Sequence, residues 1–205
     1  MRIYNKMMPK IEFVYSNVYD DRYRSSEIIQ NILKEQNKKY PSKNKITRYI
    51  SRVEKIWRKQ EKKILIEIAK ITNLKWKEDK IKCYVIGSGR SFSDPLTLKI
   101  FDNLNDFIDT LTHEMIHQIQ SQNRDKYQKW HKYVDETYKK ETELTKRHIF
   151  LHAVHKKLYL NLFDKKRLKR NIKRDYTKPD YKRSWEIVEK EEHDNIIKRF
   201  DKLIR

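Results

Sequence analysis

A mainly helical α+β fold, with a small antiparallel sheet beside one central helix, is what this sequence predicts. Three observations carry that prediction. Two glycines and four prolines punctuate 205 residues, which is sparse for a chain built from tight turns. Apolar residues recur at helical spacing over most of the length. Near residue 80 the texture changes to alternation, and both glycines, Gly87 and Gly89, fall in the turn that closes it.

The elements follow in order. Ile11 to Ser16 (IEFVYS) is β-branched and aromatic, a short strand. Residues 25–37 place Ile28, Ile29, Ile32 and Leu33 on a helical stripe, which Pro41 and Ser42 end. A longer helix spans 45–72, with Ile46, Ile50, Val53, Ile56 and Trp57 on one side and a more uniformly apolar second half. In KIKCYVIGSGR, Ile81, Cys83 and Val85 alternate with Lys82, Tyr84 and Ile86, a strand. GSGR reads as a strand-to-strand turn, because neither Gly-Lys-Ser/Thr nor a GxGxxG pattern follows to cradle phosphate. Leu96 to Phe101 (LTLKIF) is a second strand, and Pro95 before it suits a strand start or an edge. Leu104, Ile108, Leu111, Met115 and Ile119 mark the central helix, with Asp102 or Asn103 as N-cap. Residues 123–141 read as a polar, surface-laid helix, Thr145 to Phe163 as a second apolar one, and 176–183 as a loop. An amphipathic helix from Ser184, anchored by Ile187 and Val188, ends the chain.

Charge bounds the partners. The chain carries 49 Lys+Arg against 29 Asp+Glu, a net charge of +20. Such a surplus attracts polyanions, although an AT-rich genome writes lysine-rich surfaces without any such role. Cys83 is the lone cysteine, so neither a disulfide framework nor a cysteine zinc site is available, and a reducing compartment fits. With no signal-peptide h-region and no membrane-length apolar run, the expectation is a cytoplasmic protein, cellular or viral, without a transmembrane segment.

The central helix holds the chemistry. TLTHEMIHQIQ, Thr110 to Gln120, contains His-Glu-x-x-His. Four residues make slightly more than one helical turn, so His113 and His117 point the same way. At 100° per residue, His113 stands about 200° from Leu111. An apolar stripe can therefore face the core while the imidazoles face a cleft. Two histidines so placed offer two nitrogen ligands to Zn2+, and Glu114 beside the first is set to act as general base. Chance alone writes HExxH in roughly one or two sequences per hundred of this length and composition, so context must decide. The flanking Leu111, Met115, Ile116, Gln118 and Ile119 are all uncharged, and six of seven histidines fall between residues 113 and 155.

Strand, glycine turn, strand and then LTHEMIHQI resembles the core of the zincin metallopeptidases over roughly residues 80–155, and HEMIH is most similar to the SprT-like branch with its Spartan-type proteases. The resemblance implies a zinc metallopeptidase acting on protein or peptide. It also implies that Leu96 to Phe101 is an edge strand holding substrate antiparallel. Residues 1–205 would form a single zincin-like domain: a helical part at 1–75, a catalytic core at 76–163, and a basic segment with the C-terminal helix at 164–205. In that branch a downstream histidine is the third ligand, and His131 lies at a compatible distance. The Gly-His pattern usual there, a cysteine ribbon and the HExxHxxGxxH of metzincins are all lacking.

The residues themselves point elsewhere for the third ligand. His148, His152 and His155 are spaced i, i+4, i+7 on an otherwise apolar helix. Burying three imidazoles requires a partner for each, and a metal supplies one. His152, central in the stripe, is the expected ligand; His155, His148, His131 and the gluzincin-style Glu143 remain alternatives. Asp109, one turn before His113, reads either as a carboxylate that orients it or as a solvated surface acid. Tyr159, Tyr176 and Tyr181 are unranked candidates for oxyanion stabilisation. Lys165 to Arg174 (KKRLKRNIKR), with Tyr176, Tyr181 and Trp185 nearby, reads as a nucleic-acid contact or as a solvated helix end. Two functions follow: a metallopeptidase, with nucleic-acid-associated proteins among its substrates, or a basic nucleic-acid-binding or virion-associated protein with a structural or vestigial zinc site.

Overall fold

The computed structural model describes residues 8–205. It is α+β and mainly helical, with ten helices and a four-stranded sheet among the described residues. None of these helices is long and apolar enough to cross a membrane.

Strands β1 (Lys10–Val14), β2 (Lys80–Ile86), β3 (Phe92–Ser93) and β4 (Leu96–Lys99) lie in the order β1-β2-β4-β3. The antiparallel expectation holds for one pairing of three. β1 and β2 run parallel, as do β2 and β4, and β3 alone is antiparallel to its neighbour. Parallel neighbours need a long crossover, and four helices supply the one between β1 and β2: α1 (Asn17–Arg24), α2 (Glu27–Glu35), α3 (Lys43–Arg58) and α4 (Glu61–Thr72). The expected edge strand is corrected too. β4 is flanked by β2 and, through Leu96 and Thr97, by β3, so the edge is Phe92–Ser93. A two-residue strand carries too short a pattern to stand out from the turn around it.

Five further helices follow the central one, α5 (Leu104–Gln122): α6 (Arg124–Thr137), α7 (Glu143–Leu162), α8 (Lys165–Asp175), α9 (Pro179–Glu191) and α10 (His193–Ile204). Side-chain caps start several helices: Ser16 accepts from Tyr19 N–H, Ser42 from Lys45, Thr142 from Thr145 and Asp164 from Arg167. The long helix expected at 45–72 is two, α3 and α4, divided at Lys59–Gln60. The C-terminal helix is also two, divided at Glu192, whose φ of 65° no helix accommodates. Its first half begins before Ser184, because Pro179 fits the opening turn, where its missing N–H costs nothing.

The chain divides into two compact units. One comprises Pro9–Lys62 and Glu78–Glu114. Its core gathers Ile11, Ile46, Val53, Trp57, Cys83, Val85, Leu98 and Phe107. The buried carboxylate of Asp20 accepts hydrogen bonds from Tyr15 and Tyr40 hydroxyls, the Arg24 guanidinium and the Gly87 N–H. A Cβ at Gly87 would collide with Cε1 of Tyr40, so glycine there lets the backbone reach this hub. The other comprises Lys63–Lys77 and Met115–Arg205. Trp130, Phe150 and Phe200 are its aromatic centre, the last two stacked at 3.9 Å. Trp130 belongs to α6, which buries Tyr127 and Val134 as well and so is less surface-laid than its polar sequence suggests.

Candidate metal centre

Helix α5 starts where the Asn103 side chain accepts from the Asn105 N–H. Its apolar stripe is sequestered: Ile108, Leu111, Met115 and Ile119 are fully buried. The opposite side is not open either, since His113 and Glu114 are buried while His117 keeps some exposure. The HExxH side of α5 thus lies against protein.

What meets it is His148 of α7. One ring nitrogen from each of His113, His117 and His148 lies within 4.8 Å of the other two, so the three form a group that can hold a metal ion. Two observations test the fit. The first is the state of the ligands. His148 Nδ1 lies 2.7 Å from the carbonyl oxygen of Leu144. A carbonyl only accepts, so Nδ1 carries the proton and Nε2 bears the lone pair. A backbone carbonyl holding the far nitrogen of a metal-ligating histidine is a frequent arrangement. The second is charge. Burial, reinforced by His148 and Arg147 against the opposing bond to Gln120, lowers His117 to about 3. Burial lowers His148 to about 4, outweighing the opposite pull of the Leu144 carbonyl. Both imidazoles are therefore neutral at pH 7, the form that binds a cation. Cys83 is not a competing donor, because burial, and secondarily the charge of Glu114, holds its thiol protonated.

His152, the ligand expected from the stripe, lies elsewhere. Its Nδ1 is 2.6 Å from Ser184 Oγ, and its ring stacks on Trp185 at 4.3 Å and 11°. Burial, together with three neighbouring histidines, pushes its pKa well below the ordinary value. The three histidines do share one stripe of α7, but successive levels meet different neighbours. His148 meets His117 of α5 and Tyr181 of α9, His152 meets Ser184 and Trp185 of α9, and the fully buried His155 packs on Tyr159 at 4.4 Å. Where along α7 the neighbour changes is set by packing, which helical spacing does not encode.

Neither of the remaining alternatives joins the group. His131 is half-buried and packs edge-on to Tyr127 at 4.7 Å, and Glu143 is exposed in the first turn of α7, paired with Lys146. Asp109 is fully buried one turn before His113. Of the three tyrosines, Tyr181 lies against the cluster, its ring 4.3 Å from that of His148. Tyr159 is buried beside Asn171 and His155, and Tyr176 is exposed. Sequence reasoning did not single out the Leu144 carbonyl, a backbone group four residues before His148, or Ser184, whose role depends on α9 packing beside α7. No family model, no curated protein and no solved structure matches the chain.

Proposed function

We propose that this chain is a zinc-dependent metallopeptidase of the zincin kind, in which His113, His117 and His148 hold Zn2+ and Glu114 is the general base. One observation carries the reading: a third buried histidine converges on the pair of an HExxH helix whose glutamate is buried beside them. Three imidazoles form a nitrogen donor set suited to zinc, which in catalytic sites keeps a fourth position open. When bound, the ion supplies Lewis-acid chemistry, polarising a carbonyl and bringing the pKa of water down towards 7. Glu114 takes the proton of the attacking water on its carboxylate and delivers it to the leaving amine. Leu144 holds His148 in the required tautomer.

Proteins associated with nucleic acid are the proposed substrate class, in an intracellular, cytoplasmic setting that suits a chain whose single cysteine can form no internal disulfide. Support comes from α8. Leu168, Asn171 and Asp175 turn inward, leaving Lys165, Lys166, Lys169 and Lys173 exposed on the other side. Rows of lysine at i, i+4, i+8 advance about 6 Å per step and suit a phosphate backbone. The same face favours a second reading, a nucleic-acid-binding or virion-associated protein whose zinc site is structural or vestigial.

Glu114→Gln separates the readings. A peptidase keeps about one zinc per chain and loses about 10²- to 10⁴-fold in cleavage of a denatured protein substrate. Undiminished cleavage by the variant would remove Glu114 from its role. Wild-type protein that binds zinc and cleaves no denatured substrate would select the second reading.

A further inference from the structure

A chain of polar contacts outside the three-histidine group runs between α7 and α9. Ser184 is fully buried, with Oγ 2.9 Å from the carbonyl oxygen of Tyr181 and 2.6 Å from Nδ1 of His152. A hydroxyl has one proton. The Tyr181 carbonyl only accepts, so that proton goes to it, and the Nδ1–H of His152 donates to Oγ. The His152 ring lies flat on Trp185, whose Nε1–H donates to Asp175 Oδ2 at 3.1 Å. His152 Nε2 stands 3.8 Å from that α8 oxygen, beyond hydrogen-bond distance, while Nδ1 ties the ring to α9 through Ser184.

Tyr181 is where this chain reaches the metal centre. Its ring lies against His148 at 4.3 Å and 33°, and Lys178 Nζ sits 4.2 Å from its centroid. His148 is thus restrained twice. The Nδ1–H bond to Leu144 directs the ring along its own plane, and the Tyr181 ring limits movement across its face. The backbone turn carrying Tyr181 is in turn pinned to α7 by Ser184 and His152.

We propose that His152, Ser184 and Tyr181 are positioning residues for the third metal ligand: the His152–Ser184 bond ties the Tyr181 turn of α9 to α7 and thereby fixes the face of His148. The proposal rests on the metal-centre reading, and the experiment distinguishes failure of the two. Zinc affinity of the full chain is measured by competition with a chromophoric chelator, with circular dichroism to verify folding. Ser184→Ala and Tyr181→Ala each weaken binding about 10- to 100-fold, the usual cost of losing an outer support of a ligand. Tyr181→Phe, which keeps the ring, binds like wild type. Val188→Ala, a buried position of the same helix, lowers the melting temperature and leaves affinity unchanged, so instability alone does not mimic the effect. If Ser184→Ala does not fold, the Tyr181 pair decides, because that side chain is only half-buried. Loss of affinity in His148→Ala with wild-type affinity in Ser184→Ala and Tyr181→Ala overturns the tie and leaves the metal centre standing. Wild-type affinity in His148→Ala overturns the metal centre, and the tie with it.

Discussion

Replacing His148 by alanine removes one of three nitrogens that lie within 4.8 Å of one another. Structural zinc sites with four ligands bind with about 10–16 kcal/mol, hence about 3 kcal/mol per ligand. At 1.4 kcal/mol per tenfold, the variant should bind Zn2+ about 100-fold more weakly. His152→Ala is the informative partner. It deletes a fully buried imidazole, its bond to Ser184 and its contact with Trp185, so it should cost more in stability, about 2–4 kcal/mol. Its effect on zinc passes only through the support of His148 and should stay near tenfold. Chelator competition gives both affinities, and urea unfolding of the metal-free proteins gives both stabilities. The reasoning predicts opposite orders: His148→Ala worse for zinc, His152→Ala worse for stability. A larger zinc defect in His152→Ala would return the third ligand to the position expected from the stripe, and the geometry of the cluster would be wrong.

Acid should weaken the metal-free fold before the carboxylates titrate. Burial holds His117 at about 3 and His148 at about 4, whereas an unfolded chain titrates its histidines near 6.5. Between those values the unfolded state binds more protons, so stability rises with pH in this window and is lost as pH falls, by up to about 1.4 kcal/mol per unit for each histidine. Equal urea midpoints at pH 7 and pH 5 would contradict this. Neutralising Lys165, Lys169 and Lys173 to Gln should reduce the slope of log affinity for duplex DNA against log salt by about 2.7; an unchanged slope excludes this face as the contact. Gly87→Ala should cost about 1–3 kcal/mol, read as a lowered melting temperature, because Tyr40 is held by Asp20 and cannot yield to the new methyl. A melting temperature equal to wild type would show that the hub relaxes freely.

Much of this molecule is local and therefore legible in its sequence. The pairing of His113 with His117 follows from the pitch of a helix, and the apolar stripe of α5 follows from the same pitch. Helical character, the strand ending just before Gly87, and the shared stripe of His148, His152 and His155 are equally short-range. Other features depend on residues far apart in the chain. Parallel pairing of β1 with β2 depends on a crossover of four helices, and β3 is too short to announce itself as the edge. The grouping of His148 rather than His152 with the HExxH pair required α5, α7 and α9 to be packed, because the His148 level of the stripe meets α5 as well as α9, whereas His152 lies on Trp185 of α9. Helical periodicity set the direction in which the histidines point; tertiary packing decided which of them the HExxH pair meets.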